Sequence, residues 1–160
     1  PLGTIPFLID GDTRMSESSG ICHYLTQRYG PTDLALDIDH PEYGSFLNWL
    51  YFSDATLTFP QTLVLRYTIL EPKERRLPQA AEDYANWFSG RLRYVEAALE
   101  GKEFLVADRF TIADIAIGYA IQLADTHKHL KDRLGPNARA YLDRLRTRDA
   151  FQRSLEKQKT

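Results

Sequence analysis

Strand signals are confined to the first fifteen residues of this chain, and everything beyond residue 40 carries helical periodicity. Ile5-Pro6-Phe7-Leu8-Ile9 reads as a short strand, rich in β-branched and aromatic residues and closed by the tight-turn pair Asp10-Gly11. Thr13 to Met15 is expected to return antiparallel. A helix opened by Glu17-Ser18 follows, and Gly30-Pro31 ends it. Two strands are marginal alone and need a partner sheet or helix. A larger sheet is therefore expected, whose other strands are missing from the chain.

Thr32 to His40 reads as a linker rich in turn residues and acid. Pro41 suits a first helical turn, and Phe46, Leu47, Leu50, Asp54 and Leu57 follow at three- and four-residue steps. Pro60 is expected to kink or interrupt this helix near Thr56, with Leu63, Val64 and Tyr67 continuing it. A further helix begins near Pro78, where Ala81, Tyr84, Phe88, Leu92, Val95 and Leu99 form one apolar stripe and Gly101 supplies a stop. Gly135-Pro136 punctuates two last helices, with Tyr141, Leu142, Leu145, Phe151 and Leu155 facing inward. Phe110-Thr111-Ile112-Ala113-Asp114-Ile115 predicts a reciprocal capping box between Thr111 and Asp114, with Phe110 and Ile115 as a hydrophobic staple. The mostly apolar helix it opens, through Ile115, Gly118, Tyr119 and Gln122, reads as central and buried.

Hydrophobic residues at 43% and nineteen aromatics argue for one packed core and against disorder. No apolar run is long enough to cross a bilayer, and no secretory leader opens the chain. The single cysteine, Cys22, excludes an internal disulfide and fits a reducing, cytoplasmic setting; it reads as a small buried apolar residue. Residues 1–126 hold ten cations against eighteen carboxylates, and residues 127–160 hold ten against four. Those late cations alternate with Asp132, Asp143, Asp149 and Glu156 along apolar-periodic helices, so a solvated helix face is the reading, not a nucleic-acid site. His23, His40, His127 and His129 are expected to face solvent. His127 and His129 are two apart, which is poor metal geometry, and no H-x-x-x-H, CxxC, Walker loop or GxSxG occurs. No metal is expected.

Gly3, Pro6, Leu8, Glu17, Ser18, Ile21, Tyr24 and Leu25 together resemble the glutathione-binding half of a glutathione S-transferase, where G-x-[VI]-P-x-L, a turn and E-S-x-[AG]-I-x-x-Y-L follow in that order. Phe110 to Ile115 is similar to the core helix start of the same family, a structural role. The resemblance, to soluble bacterial-type members, covers nearly the whole chain. It implies an α+β, mostly α protein: the C-terminal remnant of a thioredoxin-like domain over 1–30, a linker over 31–40, and an all-helical domain over 41–160. In the family about two βα units precede this stretch and carry the catalytic residue. Pro1 is not a translation start, so the chain is expected to be N-terminally truncated and inactive alone, with the thiol-activating residue upstream of Pro1.

A site for glutathione needs an anion for the γ-glutamyl ammonium, donors for its carboxylate, and an exposed backbone edge for the peptide. Glu17 offers the anion, and Ser18 offers a hydroxyl at a positive helix N-terminus. The resemblance implies a cis Ile5-Pro6 bond, with Ile5, Glu17 and Ser18 as contacts and Pro6 shaping the site. Ser16-Glu17-Ser18 would equally serve as an ordinary N-cap, and Pro is ordinary at a sheet edge. The second substrate is expected against the long helix after Pro41, with Trp49, Tyr51, Phe52, Thr56 and Tyr119 as pocket candidates. The resemblance implies that glutathione, as co-substrate, attacks a small electrophilic apolar molecule, by conjugation, isomerisation, dehalogenation, ether cleavage or peroxide reduction. It also implies an isologous homodimer that uses the Glu17–Tyr29 helix and the helix after Pro41. The competing reading is a non-catalytic transferase-like binding or assembly domain.

Overall fold

The computed structural model of the chain describes Gly3 and residues 5–158. Pro1, Leu2, Thr4 and residues 159–160, which the sequence reading assigns to the two end domains, lie outside the described residues.

Strand β1 (Leu8–Asp10) pairs antiparallel with β2 (Thr13–Met15) in the register Leu8↔Met15, Ile9↔Arg14, Asp10↔Thr13. The ladder begins later than the expected Ile5, since Pro6 has no N–H to give it. The turn is centred on Gly11-Asp12, one residue beyond the expected pair, and Gly11 takes the positive φ of 55° that such a two-residue loop requires. Helix α1 (Ser18–Arg28) folds back on the hairpin: the Tyr24 and Tyr29 hydroxyls both donate to Asp10 Oδ2, at 2.8 and 2.6 Å. Those bonds, Tyr29 first, hold the Asp10 carboxyl below the usual carboxylate range. The Ile5-Pro6 and Gly30-Pro31 peptides are cis, the first as the resemblance implied.

Residues 31–40 are tied down and do not form a loose tether. Leu36 is buried, Ile112 N–H donates to Leu34 O at 2.8 Å, and Ala107 N–H donates to Glu42 Oε2 at 2.7 Å. Helices α2 (Tyr43–Phe52) and α3 (Phe59–Leu65) form one rod, with a π-helical turn between them at Ser53–Thr58 and another ending it at Arg66–Leu70. The expected break near Thr56 is thus a π-helical turn. It lets Pro60 enter the first turn of α3, where a missing N–H costs nothing. Helix α4 (Pro78–Ala98) lies antiparallel to the rod and buries Ala81, Ala85, Phe88, Leu92 and Val95.

Helix α5 (Ile112–Thr126) is the centre of the bundle, as its composition predicted, but a different face is buried. Ala113, Ala116, Ile117, Ala120, Ile121 and Ala124 point into the core, whereas Ile115 and Tyr119 are exposed and Gln122 is half-buried. Gly118 lets α6 (Pro136–Arg146) come close: a Cβ there would stand 2.5 Å from Leu145 Cδ1, and the Leu145 side chain would have to shift to admit it. Two buried side chains of the rod bond to α5 carbonyls: Ser53 Oγ to Ala116 O at 2.7 Å, and Gln61 Nε2 to Ala120 O at 3.0 Å. Glu96 of α4 accepts from Asn137 and Ala138 N–H at 3.1 and 2.8 Å, supplying the cap that α6 lacks locally. Helix α7 (Asp149–Lys157) closes the chain; Phe151 and Leu155 are only half-buried on it.

The Thr111–Asp114 capping box is present, with Ala113 N–H on Thr111 Oγ1 at 3.3 Å and Thr111 N–H on Asp114 Oδ2 at 2.8 Å. Its reach exceeds the sequence expectation. Asp114 is 0% exposed, and its Oδ1 also accepts from Leu105 N–H at 3.0 Å and from the Tyr141 hydroxyl at 2.8 Å. Burial still outweighs these donors, raising the Asp114 pKa and pushing that of Tyr141 well up.

The solvent-facing expectation for histidine holds only for His129. His23 packs edge-on to Phe46, and His40 Nδ1 accepts from Glu42 N–H at 3.1 Å. His127 is 7% exposed at the C-terminus of α5, where Nδ1 accepts from His129 N–H at 3.2 Å and Nε2 faces Thr68 Oγ1 at 3.4 Å. Burial, then His129 and Lys128, lower its pKa.

Replacing Asp114 by Ala leaves buried donors at Leu105, Thr111 and Tyr141 unpaired, so a loss of about 3 kcal/mol or more is expected in urea unfolding. A loss below about 1 kcal/mol would contradict the role assigned to it. His127 favours its neutral form in the fold. Its contribution is complete above the ordinary pKa near 6.5 and is lost as pH falls through the lowered folded value. Stability measured from about pH 7.5 to about pH 5 should therefore drop more steeply for the native protein than for His127→Gln. Parallel profiles would show that another group carries the dependence.

Candidate functional site

The β1–β2 register determines where the expected glutathione contacts lie. Because Leu8 faces Met15, the residues before Leu8 and after Met15 emerge at the same end of the hairpin, opposite the Gly11 turn. Ile5-Pro6 and Glu17-Ser18 therefore share one edge. All four are exposed, Ile5 at 94%. Glu17 is the N-cap of α1 (φ −93°, ψ 116°) with no side-chain capping bond, and Ser18 is its first helical residue. The first helical bond runs from Ile21 N–H to Glu17 O at 2.8 Å, so the N–H groups of Ser18, Ser19 and Gly20 open toward this edge. A carboxylate, a hydroxyl and a positive helix end thus stand beside an exposed, proline-bearing segment. An α-amino acid terminus, with its ammonium and carboxylate, is the chemistry that fits them.

The second-substrate candidates do not assemble into one pocket. Trp49 is buried, stacked on Tyr94 with centroids 4.9 Å apart, and Phe52 leans on Tyr94 at 5.5 Å. Both belong to the seam between the rod and α4. Tyr51 is exposed on α2, and Thr56 is half-buried within the first π-helical turn. Tyr119 alone lines a cavity of about 550 Å³ between α5 and α7, which Leu34, Phe110, Ile115, Phe151 and Leu155 make apolar. Arg148 stands at its edge, the guanidinium carbon 3.6 Å from the Phe110 ring centroid. The apolar lining residues named beside Tyr119 escape a sequence reading that seeks aromatics on the long helix. For Ile115, Phe151 and Leu155 the signal is a four-residue step, Ile115 to Tyr119 and Phe151 to Leu155, repeated on two helices; Leu34 and Phe110 carry no such signal.

A second, polar cleft of about 490 Å³ runs between the end of α1 and residues 31–37, with Thr26, Asp33, Asp37 and Arg109 on its walls. Arg109 donates to Ala35 O at 2.9 Å and braces that segment. Among the described residues no cluster of three or more His, Cys, Asp or Glu is arranged to hold a metal ion, and no helix is long and apolar enough to cross a membrane.

The family description "Glutathione S-transferase, N-terminal domain" matches residues 1–33, and "Glutathione S-transferase, C-terminal domain" matches residues 61–149. The chain belongs to the glutathione S-transferase family. It is 33% identical over 124 residues to glutathione S-transferase hmp2 of Hypomyces subiculosus, covering 72% of this chain and 57% of that protein. Glutathione S-transferase F9 of Arabidopsis thaliana is 26% identical over 170 residues, covering 98% of this chain and 75% of that protein. Among solved structures, Ure2p5 of Phanerochaete chrysosporium, cocrystallized with 1-(S-glutathionyl)-2,4-dinitrobenzene, superposes with a TM-score of 0.82 at 26% identity. That match covers 97% of this chain and 74% of the other. The chain spans little more than half the length of several curated transferases it matches, 57% of hmp2 and 52% of glutathione S-transferase 1 of Schizosaccharomyces pombe.

The single thiol of this chain is not an activated one. Cys22 sits half-buried on α1, where desolvation and the Asp54 charge push its pKa up. Disulfide-exchange reagents are expected to label native Cys22 several-fold more slowly than the same residue in urea. Equal rates would show an accessible, ionised thiol and reopen a chemical role for it.

Proposed function

We propose that this chain is the glutathione-holding edge and helical domain of a glutathione transferase. The observation that carries the reading is the shared hairpin end, where Ile5-Pro6, Glu17, Ser18 and the α1 N-terminus lie together and exposed. In this reading Glu17 pairs with the γ-glutamyl ammonium. The Ser18 hydroxyl and the first N–H groups of α1 take the adjoining carboxylate. The Ile5 backbone, beside Pro6, pairs with the cysteinyl peptide.

Glutathione is the co-substrate, and no metal takes part. Its thiol loses a proton, the sulfur forms a bond to an electrophilic carbon of an apolar molecule, and the displaced group leaves with the bonding electrons. The residue that ionises the thiol is assigned to the part of the domain that precedes these residues in the family. Tyr119 and the cavity between α5 and α7 are the apolar surface retained for the second substrate; Trp49 and Phe52 are assigned to packing instead. A homodimer in the cytoplasm, where glutathione is kept reduced, completes the reading.

Calorimetric titration of the full-length protein with glutathione tests it. Glu17→Ala is expected to weaken binding about tenfold or more, the loss of one charge-assisted contact, while far-ultraviolet circular dichroism stays unchanged. Superimposable titrations would remove Glu17 from the site.

A further inference from the structure

Two segments far apart in the sequence meet at the end of the rod remote from the hairpin. The first is the turn from Arg66 to Leu77, between the rod and α4. The second is residues 127–131, just after α5. Thr68 Oγ1 lies 3.4 Å from His127 Nε2, and Arg133 donates to Glu82, in the second turn of α4, at 2.7 Å. The rod from Tyr43 to Leu70 is about 40 Å long at the helical rise, so this end stands well away from the Ile5 to Ser18 edge.

The Arg66–Leu77 turn is built with a carboxylate inside and its cations outside. Glu71 is held between Arg66 Nε at 2.9 Å and Arg75 Nε at 3.3 Å; its side chain is 13% exposed, against 50% and 68% for theirs. Arg76 closes the turn by donating to Ile69 O and Glu71 O, both at 3.0 Å, and Leu77 leads from this clasp into α4. Ile69, Leu70 and Leu77 are 48%, 66% and 52% exposed. Lys73 of this turn and Lys128 and Lys131 of the neighbouring segment are exposed too, and among the described residues none of the three is in an ion pair. Glu74 and Asp132 are the exposed carboxylates of the two segments. Five exposed cations thus accompany three exposed aliphatic side chains, on a chain whose net charge is −2. The two segments stand 59 residues apart at their contact, so no local pattern joins them.

The shape decides which anionic partner fits. A peptide is bound in a groove or along a sheet edge, and neither cavity contains a residue of 66–77 or 127–131. Aliphatic tips flanked by Lys and Arg suit a surface that offers hydrocarbon just beneath a layer of phosphates. Among the described residues no helix is long and apolar enough to cross a membrane, so such a contact is peripheral.

We propose that this end of the bundle docks on anionic phospholipid surfaces, with Ile69, Leu70 and Leu77 entering the headgroup boundary and the five cations meeting lipid phosphates. The glutathione edge lies at the other end, so vesicle binding and the glutathione titration succeed or fail independently.

Flotation of the full-length protein with vesicles provides the test. On phosphatidylcholine vesicles holding about one-third phosphatidylserine, at about 0.1 M salt, the native protein is expected to float. On phosphatidylcholine alone, or at about 0.5 M salt, it should stay behind. The triple variant Lys73→Gln, Lys128→Gln, Lys131→Gln removes three cations worth about fivefold each and should lower partitioning about a hundredfold. Leu70→Ser, an exposed change, should weaken binding several-fold at constant charge, with unaltered circular dichroism. Leu70→Trp should add an emission that shifts to the blue on anionic vesicles, beyond the signal of Trp49 and Trp87 in the native protein. A native protein that does not float on the phosphatidylserine vesicles overturns the proposal. So does partitioning that the triple variant leaves unchanged, or an added emission that vesicles do not shift. Tighter binding to polyglutamate than to the anionic vesicles, indifferent to Leu70→Ser, would assign the face to an acidic protein and equally overturn it.

Discussion

A carboxylate taken out of water needs donors on every side, and Asp114 collects its donors from three separate parts of the chain. Thr111 belongs to its own helix start, Leu105 to the loop before it, and Tyr141 to α6. The group therefore orders more than one turn of backbone. It fixes where the approach to α5 must run and how α6 must lie across it. Residues 31–40 are in turn sealed against that approach, through Leu34 O on Ile112 N–H and Glu42 on Ala107 N–H. The hairpin unit meets the bundle through this segment and through α1, where His23 packs on Phe46, so the buried charge helps to set one of its two attachments. The cost is visible in the raised Asp114 pKa, which says that these three hydrogen bonds and a fourth from the Thr111 hydroxyl at 3.1 Å do not fully replace water.

The helices of this fold were legible because they are long and periodic. The α4 stripe from Ala81 to Leu99 matched the buried positions at every member but Tyr84, and the Thr111–Asp114 box marked the start of α5. Legibility failed where periodicity carries no orientation. Helix α5 is apolar almost all round, so its pattern could not separate Ile117 and Ile121, in the core, from Ile115 and Tyr119, outside it. The strand was overextended because propensity favours Ile5 and Phe7, while ladder pairing excludes Pro6. Histidines were misjudged for a related reason. Exposure is their average behaviour, but the chain end of α5 turns His127 inward, where its two ring nitrogens find partners.

Of the candidate site, the polar residues could be placed near one another from the sequence, whereas the apolar cavity could not be foreseen. Glu17, Ser18 and Pro6 stand in a short local motif, and a hairpin register is enough to bring such neighbours together. The apolar cavity is assembled from Leu34, Phe110, α5 and α7, more than a hundred residues apart at the extremes. No local pattern announces such a meeting. Aromatic content misled in the other direction: Trp49 and Phe52 look like pocket residues by type, yet their rings are committed to Tyr94.

The seam between the rod and α5 has an asymmetry with a practical meaning. Ser53 and Gln61 supply side chains, whereas Ala116 and Ala120 supply only main-chain oxygen. Every residue type has that oxygen, so no replacement on α5 can delete the acceptor; only a change of bulk there can disturb the bond. The polar side chains of this seam are thus all carried by one of the two helices. An engineer who redesigns the surface of α5 is free of this constraint. One who edits the turn around Thr56 is rewriting the ruler against which α5 is set.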